Sequence, residues 1–184
     1  MRKAILVILF VMQGAFADEE SRTRTFKARL SGFQETPATL STAGTGRFEA
    51  RLNESETQLS YELEYSGLEG SVTMAHVHLG ARGLSGGIMF WLCTTPSAPT
   101  PAPSGTPTCP SPGGKVTGTI TAGQIVGPSN QGIAPGEFAE VIRAMRAGAA
   151  YANVHSTLYP GGEIRGQINR ENPGRGLGRG KGKD

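Results

Sequence analysis

Polar and apolar residues alternate along most of this chain with a period of two, as strands with one buried face do. Phe26, Ala28 and Leu30 alternate with Lys27, Arg29 and Ser31. Phe48, Ala50 and Leu52 alternate with Arg47, Glu49 and Arg51, and Leu59, Tyr61, Leu63 and Tyr65 with Ser60, Glu62 and Glu64. Over 72–79 the pattern puts Ala75, Val77 and Leu79 on one face and Met74, His76 and His78 on the other. Residues 88–93 form a continuous apolar run, suited to a strand covered on both sides. Lys115 to Thr121 alternates again. Residues 151–168 read as two strands joined at Pro160-Gly161-Gly162, where Pro160 pre-sets its φ and Gly161 is expected to take the positive φ of a type II turn. Val154, Ile164 and Ile168 then face a core, and Asn153, His155, Glu163, Arg165 and Gln167 face away from it.

One segment has a different period. Between Pro135 and Gly148, the residues Phe138, Val141, Ile142 and Met145 form an i, i+3, i+4, i+7 stripe. Glu137 and Glu140 stand near its N-terminal end and Arg143 and Arg146 near its C-terminal end, as the helix dipole favours. Gly148 is placed to be the residue just past the last turn. The chain is therefore expected to be all-β: an antiparallel β-sandwich or barrel-like body of about eight strands, with one short helix over about 135–147.

Composition adds a compartment. Residues 1–17 read as a signal peptide: Arg2 and Lys3, an almost wholly apolar run from Ala4 to Met12, then Ala15-Phe16-Ala17 as a small-x-small cleavage signal. That run is too short to span a bilayer, so no transmembrane segment is expected after cleavage. The mature chain is expected to start at Asp18, with residues 18–25 a short lead into the domain, and to be secreted or periplasmic. In an oxidising compartment Cys93 and Cys109 can pair and close the segment Thr94 to Thr108 of a proline-rich loop insert over 94–114, although two free thiols are the alternative. Neither cysteine lies in a C-x-x-C, which disfavours thiol redox catalysis and a cysteine zinc site.

The formal charge of the full chain is +3. It is concentrated at the ends. Residues 18–169 hold eleven Lys/Arg against thirteen Asp/Glu, a balance of −2 that offers nucleic acid no electrostatic footing. Residues 170–184 carry five basic and two acidic residues among many glycines and read as a disordered tail. Its functional alternative is a loose contact with an anionic surface.

The chemistry worth weighing is histidine. His76 and His78 are two apart on one strand, so both imidazoles leave the same face with Cα atoms about 6.5–7 Å apart. His155, the third and last histidine of the chain, lies on another strand opposite an apolar neighbour. If those strands pair, three neutral imidazoles can grip one copper or zinc ion and leave a fourth position open. A hairpin centred on Tyr159 sets His155 across from Glu163 and Asn153 across from Arg165, and Glu163 is then placed to orient His155. The competing reading makes the three histidines braces that donate to carbonyls or pair with Glu163 and Glu35, with Arg165 in an ion pair that fixes the hairpin. A pH-sensing interface is a third.

Catalytic templates fit poorly. There is no G-x-S-x-G elbow, no H-E-x-x-H and no phosphate-cradling glycine loop. No aspartate occurs between residues 19 and 183, so Ser-His-Asp chemistry has no acid. The H-x-H strand also resembles a fragment of the copper-zinc superoxide dismutase site, but that site needs an aspartate and more histidines. Glu62 and Glu64 read as a solvated sheet surface, and Phe90 and Trp91 as core.

Three ordered motifs carry a family resemblance: Phe33-Gln34-Glu35-Thr36-Pro37, then Ala75-His76-Val77-His78-Leu79-Gly80, then Tyr151-Ala152-Asn153-Val154-His155-Ser156 with Gly161-Gly162-Glu163-Ile164-Arg165-Gly166-Gln167. Together they resemble the CHRD domain, first named in chordin, over about residues 26–169. The resemblance implies an extracellular or periplasmic β-rich module. It does not imply morphogen binding, which in chordin belongs to cysteine-rich modules that this chain lacks. The sequence thus supports a non-enzymatic exported binding or structural module with an unknown extracellular or envelope partner, or a metal-binding domain that uses His76, His78 and His155.

Overall fold

The computed structural model describes residues 24–170. The expected signal peptide and basic tail lie outside them. In chain order the elements are β1 (Thr25–Ser31), β2 (Thr45–Leu52), β3 (Leu59–Ser66), β4 (Val72–Leu79), β5 (Ile88–Thr94), β6 (Gly114–Ile120), the helix α1 (Phe138–Arg146), β7 (Ala150–Ser156), β8 (Ile164–Gln167) and a two-residue β9 (Asn169–Arg170). Every strand that the alternation predicts forms. β9 is too short to have shown a period.

All strands are hydrogen-bonded into one antiparallel sheet, ordered β5-β4-β7-β8-β1-β2-β3-β6, with β9 added beside β1. The sheet curls into a nearly closed barrel, so the barrel-like alternative holds and the sandwich does not. Its two free edges, β5 and β6, are brought together by the segment between them. The disulfide Cys93–Cys109 joins that segment to the end of β5. The Thr94 N–H donates to Pro107 O at 2.9 Å and the Cys109 N–H to Thr94 O at 2.9 Å, which continues the ladder where the strands stop. From inside, the Tyr61 hydroxyl on β3 donates to Leu92 O on β5, and the Tyr65 hydroxyl to Pro110 O, both at 2.6 Å. The proline-rich connection is thus the seam of the barrel.

The barrel is filled by the inward members of each alternation, among them Phe26, Phe48, Leu59, Leu63, Ala75, Val77, Phe90, Val154 and Ile164. The stripe Phe138, Val141, Ile142 and Met145 of α1 joins the same cluster. The helix begins at Phe138, three residues later than its expected start, because Glu137 holds the Ala134 N–H with its carboxylate and has a non-helical backbone. Gly148 has a φ of 69° and ends the helix as expected. Arg146 reaches from the last turn to an ion pair with Glu56.

One local expectation fails. The turn after β7 closes with the Gly162 N–H donating to Tyr159 O at 3.0 Å, but the positive φ, 129°, belongs to Gly162 and not to Gly161. A side chain at Gly162 would also lie within 2.6 Å of the Asn153 amide and 2.8 Å of Glu35 Oε1.

Cutting the seam is expected to loosen the whole barrel. Replacing Cys93 and Cys109 together by serine should lower the unfolding free energy by about 3 kcal/mol, the loop-closure value for a separation of 16 residues. Chemical denaturation of the oxidised protein and the double variant measures it.

Candidate metal centre

The site lies on the outside of the barrel. β4 sends Ala75 and Val77 inward and therefore Met74, His76 and His78 outward. β7 sends Ala152 and Val154 inward and Tyr151, Asn153 and His155 outward. The two strands pair with His78 opposite Tyr151, His76 opposite Asn153 and Met74 opposite His155. β8 continues the row, with Arg165 opposite Asn153 and Gln167 opposite Tyr151.

An outward polar face should be wet, yet these residues are buried. Two connections cover it. From the β1–β2 connection, Thr36 takes a hydrogen bond from Arg165 at 2.6 Å. From the β4–β5 connection, Leu84 O accepts from Arg165 at 2.8 Å, Gly80 O from Gln167 at 2.9 Å and Gly86 O from His78 Nδ1 at 3.0 Å. The polar face is satisfied mostly by backbone carbonyls of these loops, which is how a buried polar layer avoids its desolvation cost.

Within this layer the three histidines are 1%, 8% and 6% exposed for His76, His78 and His155. Their ring centroids are 5.4 Å apart for His76 and His78, 5.1 Å for His76 and His155, and 6.2 Å for His78 and His155. One ligand nitrogen from each lies within 4.8 Å of the others, and among the described residues they are the group of His, Cys, Asp or Glu placed to share an ion. The sequence expectation that the histidine strands are neighbours is therefore met.

The hydrogen bonds fix the tautomers of two of the rings. His78 Nδ1 faces Gly86 O and His155 Nδ1 faces Pro160 O at 2.9 Å. A carbonyl only accepts, so both rings carry the proton on Nδ1 and turn a lone pair outward at Nε2. Those two Nε2 atoms, and both nitrogens of His76, are buried without a hydrogen-bond partner. Neutral imidazole is enforced by burial. It pulls His76 down to about 2 and His78 to about 4, and lowers His155, with the neighbouring imidazoles adding to the effect at His76 and His78.

Several expected roles are redistributed. Glu163 does not orient His155: its carboxylate accepts from the backbone N–H groups of Glu69 (2.6 Å) and Gly70 (3.4 Å), because the end of the β3–β4 connection packs there first. The Pro160 carbonyl takes that role. Arg165 makes no ion pair within 4.0 Å among the described residues. It stacks instead on Tyr151, 3.5 Å from the ring centroid, and Tyr151 stacks in turn on His78 at 4.8 Å. Asn153 pairs with Arg165 in the expected register and stands beside Glu35, whose carboxyl burial raises to about 7 against the opposing pull of Arg165. Trp91 is not in the barrel core. It sits opposite His76 on β5 and meets that ring edge-on at 4.1 Å. Sequence reasoning missed Trp91 and Tyr151 as neighbours of the site. The parity of each strand against β4 is the signal that holds them.

These buried groups set a pH dependence for the metal-free protein. Between pH 7 and 5 the unfolded chain takes up three imidazole protons near 6.5 that the folded chain refuses. Over the same window the folded chain takes one at Glu35 that an unfolded glutamate does not. The unfolded state binds more protons, so stability should fall as pH falls, by at most about 1.4 kcal/mol per pH unit for each net proton. Denaturant midpoints at pH 7, 6 and 5 check the direction; unchanged or rising stability would contradict the neutral, buried triad.

No curated protein and no solved structure matches the chain. The family model of the CHRD domain matches residues 26–168, which takes in every strand from β1 to β8, the helix and all three histidines. The chain belongs to the CHRD domain family.

Proposed function

We propose that this chain is an exported single CHRD domain that binds one transition-metal ion, copper or zinc, through His76, His78 and His155. The observation that carries the reading is the set of buried imidazole nitrogens that face one another without partners. A brace accounts for two of the six ring nitrogens, those donating to Gly86 O and Pro160 O. It leaves four buried nitrogens unused, three of them lone pairs and one an N–H of His76, and each unsatisfied group costs about 1–3 kcal/mol. A metal ion takes three of those lone pairs at once. It needs them neutral, as burial makes them, and the Nδ1–H to carbonyl contacts are the outer hydrogen bonds that orient metal-bound imidazoles.

The fit is close but not closed. Three nitrogens at 2.0–2.1 Å from a tetrahedral ion stand about 3.3 Å apart, so the rings must draw in by about 1 Å or more from the present 4.8 Å limit. The disulfide and the apolar run at the N-terminus support export, because pairing persists in an oxidising compartment. The extracellular or envelope partner of the domain is a separate matter, to which the tail residues 170–184 are candidate contributors.

The test is metal analysis of the purified mature protein after equilibration with copper or zinc and removal of excess. One ion per chain is expected, falling to background in the triple variant His76→Ala, His78→Ala, His155→Ala. The chain has no other histidine to take their place. A folded wild-type protein that retains no stoichiometric metal, or a folded triple variant that retains as much, overturns the reading.

A further inference from the structure

We infer that the fourth donor of this site is the thioether of Met74 and that the ion it selects is copper(I). The inference rests on the three-histidine reading above and decides what that reading leaves open.

Met74 shares the outward face of β4 with His76, two residues away, and is the direct cross-strand partner of His155. Directly opposite residues on paired strands hold their Cβ atoms about 4.5–5.5 Å apart, within the reach of a flexible three-bond side chain. Met74 is 7% exposed and yet lies outside the cluster that fills the barrel. Its buried side chain therefore belongs to the histidine layer. Three imidazoles and a thioether form a soft-to-intermediate donor set, of the kind that suits copper(I).

Charge points the same way. The candidate ligand group contains no carboxylate among the described residues. Glu163 is spent on the Glu69 and Gly70 amides, and Glu35 stands beside Asn153, the cross-strand neighbour of His76, outside the ligand group. The layer also holds a positive charge, Arg165, two stacked contacts of 3.5 and 4.8 Å from the His78 ring. The cost of burying an ion without counter-charge grows with the square of its charge, so four neutral ligands favour a monovalent ion over a divalent one. Trp91, edge-on to His76, adds an apolar wall in place of the water or carboxylate that zinc ordinarily keeps.

The experiment compares the oxidised, mature wild-type protein with Met74→Leu, a volume-conserving change that leaves all three histidines in place. Copper(I) affinity is read by competition with a chromophoric copper(I) chelator under ascorbate, and zinc affinity by competition with a zinc dye. The wild type should hold copper(I) orders of magnitude more tightly than zinc. Met74→Leu should lose at least tenfold in copper(I) affinity with zinc affinity unchanged, and the sulfur scatterer in the copper X-ray absorption spectrum should vanish. Copper(I) bound equally by both proteins with nitrogen scatterers alone, or a wild-type preference for zinc, overturns the role of Met74 and leaves the three-histidine site standing. Failure of the wild type to bind either ion overturns both readings.

Discussion

The register between β4 and β7 is the constraint on which the rest of the structure depends. It aligns Met74 with His155, His76 with Asn153 and His78 with Tyr151, and it puts all six outside the barrel while Ala75, Val77, Ala152 and Val154 fill the inside. A slip of one residue on either strand would exchange the faces, drive imidazoles into the apolar interior and strand valines beneath the loops. The apolar half of the alternation fixes the register. The polar half inherits its geometry at no further cost in specificity.

That inheritance explains why a layer of histidine, asparagine, arginine and glutamine can be buried on what should be a wet surface. The connection after β4 brings backbone carbonyls over it that accept from Arg165, Gln167 and His78, the one after β1 brings the Thr36 hydroxyl to Arg165, and the β7–β8 turn brings Pro160 O to His155. Arg165 needs no carboxylate because three oxygens accept from it and its face lies on Tyr151. Of what the loops leave unsatisfied, four atoms are nitrogens of the triad, beside single oxygens of Glu35, Asn153 and Gln167 in the same layer. The histidine nitrogens are the part of that unsatisfied set that comes from three residues within reach of one ion.

Strand positions, the helix stripe, the disulfide and the neighbourhood of the three histidines were all legible from period, spacing and cysteine context. They depend on local alternation and on one hairpin, both of which a sequence displays directly. The partners of the site were harder to see. Glu163 looked like the orienting group for His155 because the hairpin sets them across from each other, but both oxygens of Glu163 are captured, one by the Glu69 amide and one by the Gly70 amide, from a connection far away in sequence. Trp91 looked like core because it sits in an unbroken apolar run, where alternation gives no parity and only pairing with His76 reveals its face. The φ of Gly162 escaped notice because a Pro-Gly-Gly turn offers two glycines and the choice between them is made by the close approach of Asn153 and Glu35.

The central claim is that His78 and His155 are neutral, protonated on Nδ1, and keep buried, unpartnered Nε2 lone pairs within the triad. Long-range proton–nitrogen correlation spectra of the nitrogen-labelled mature protein near pH 6 test it most directly. The account predicts Nδ1–H tautomers for His78 and His155 that do not titrate there, and Nε2 resonances that move together and saturate at one equivalent of metal. Nε2–H tautomers, or three imidazoles that each take a proton independently near 6.5, would contradict it.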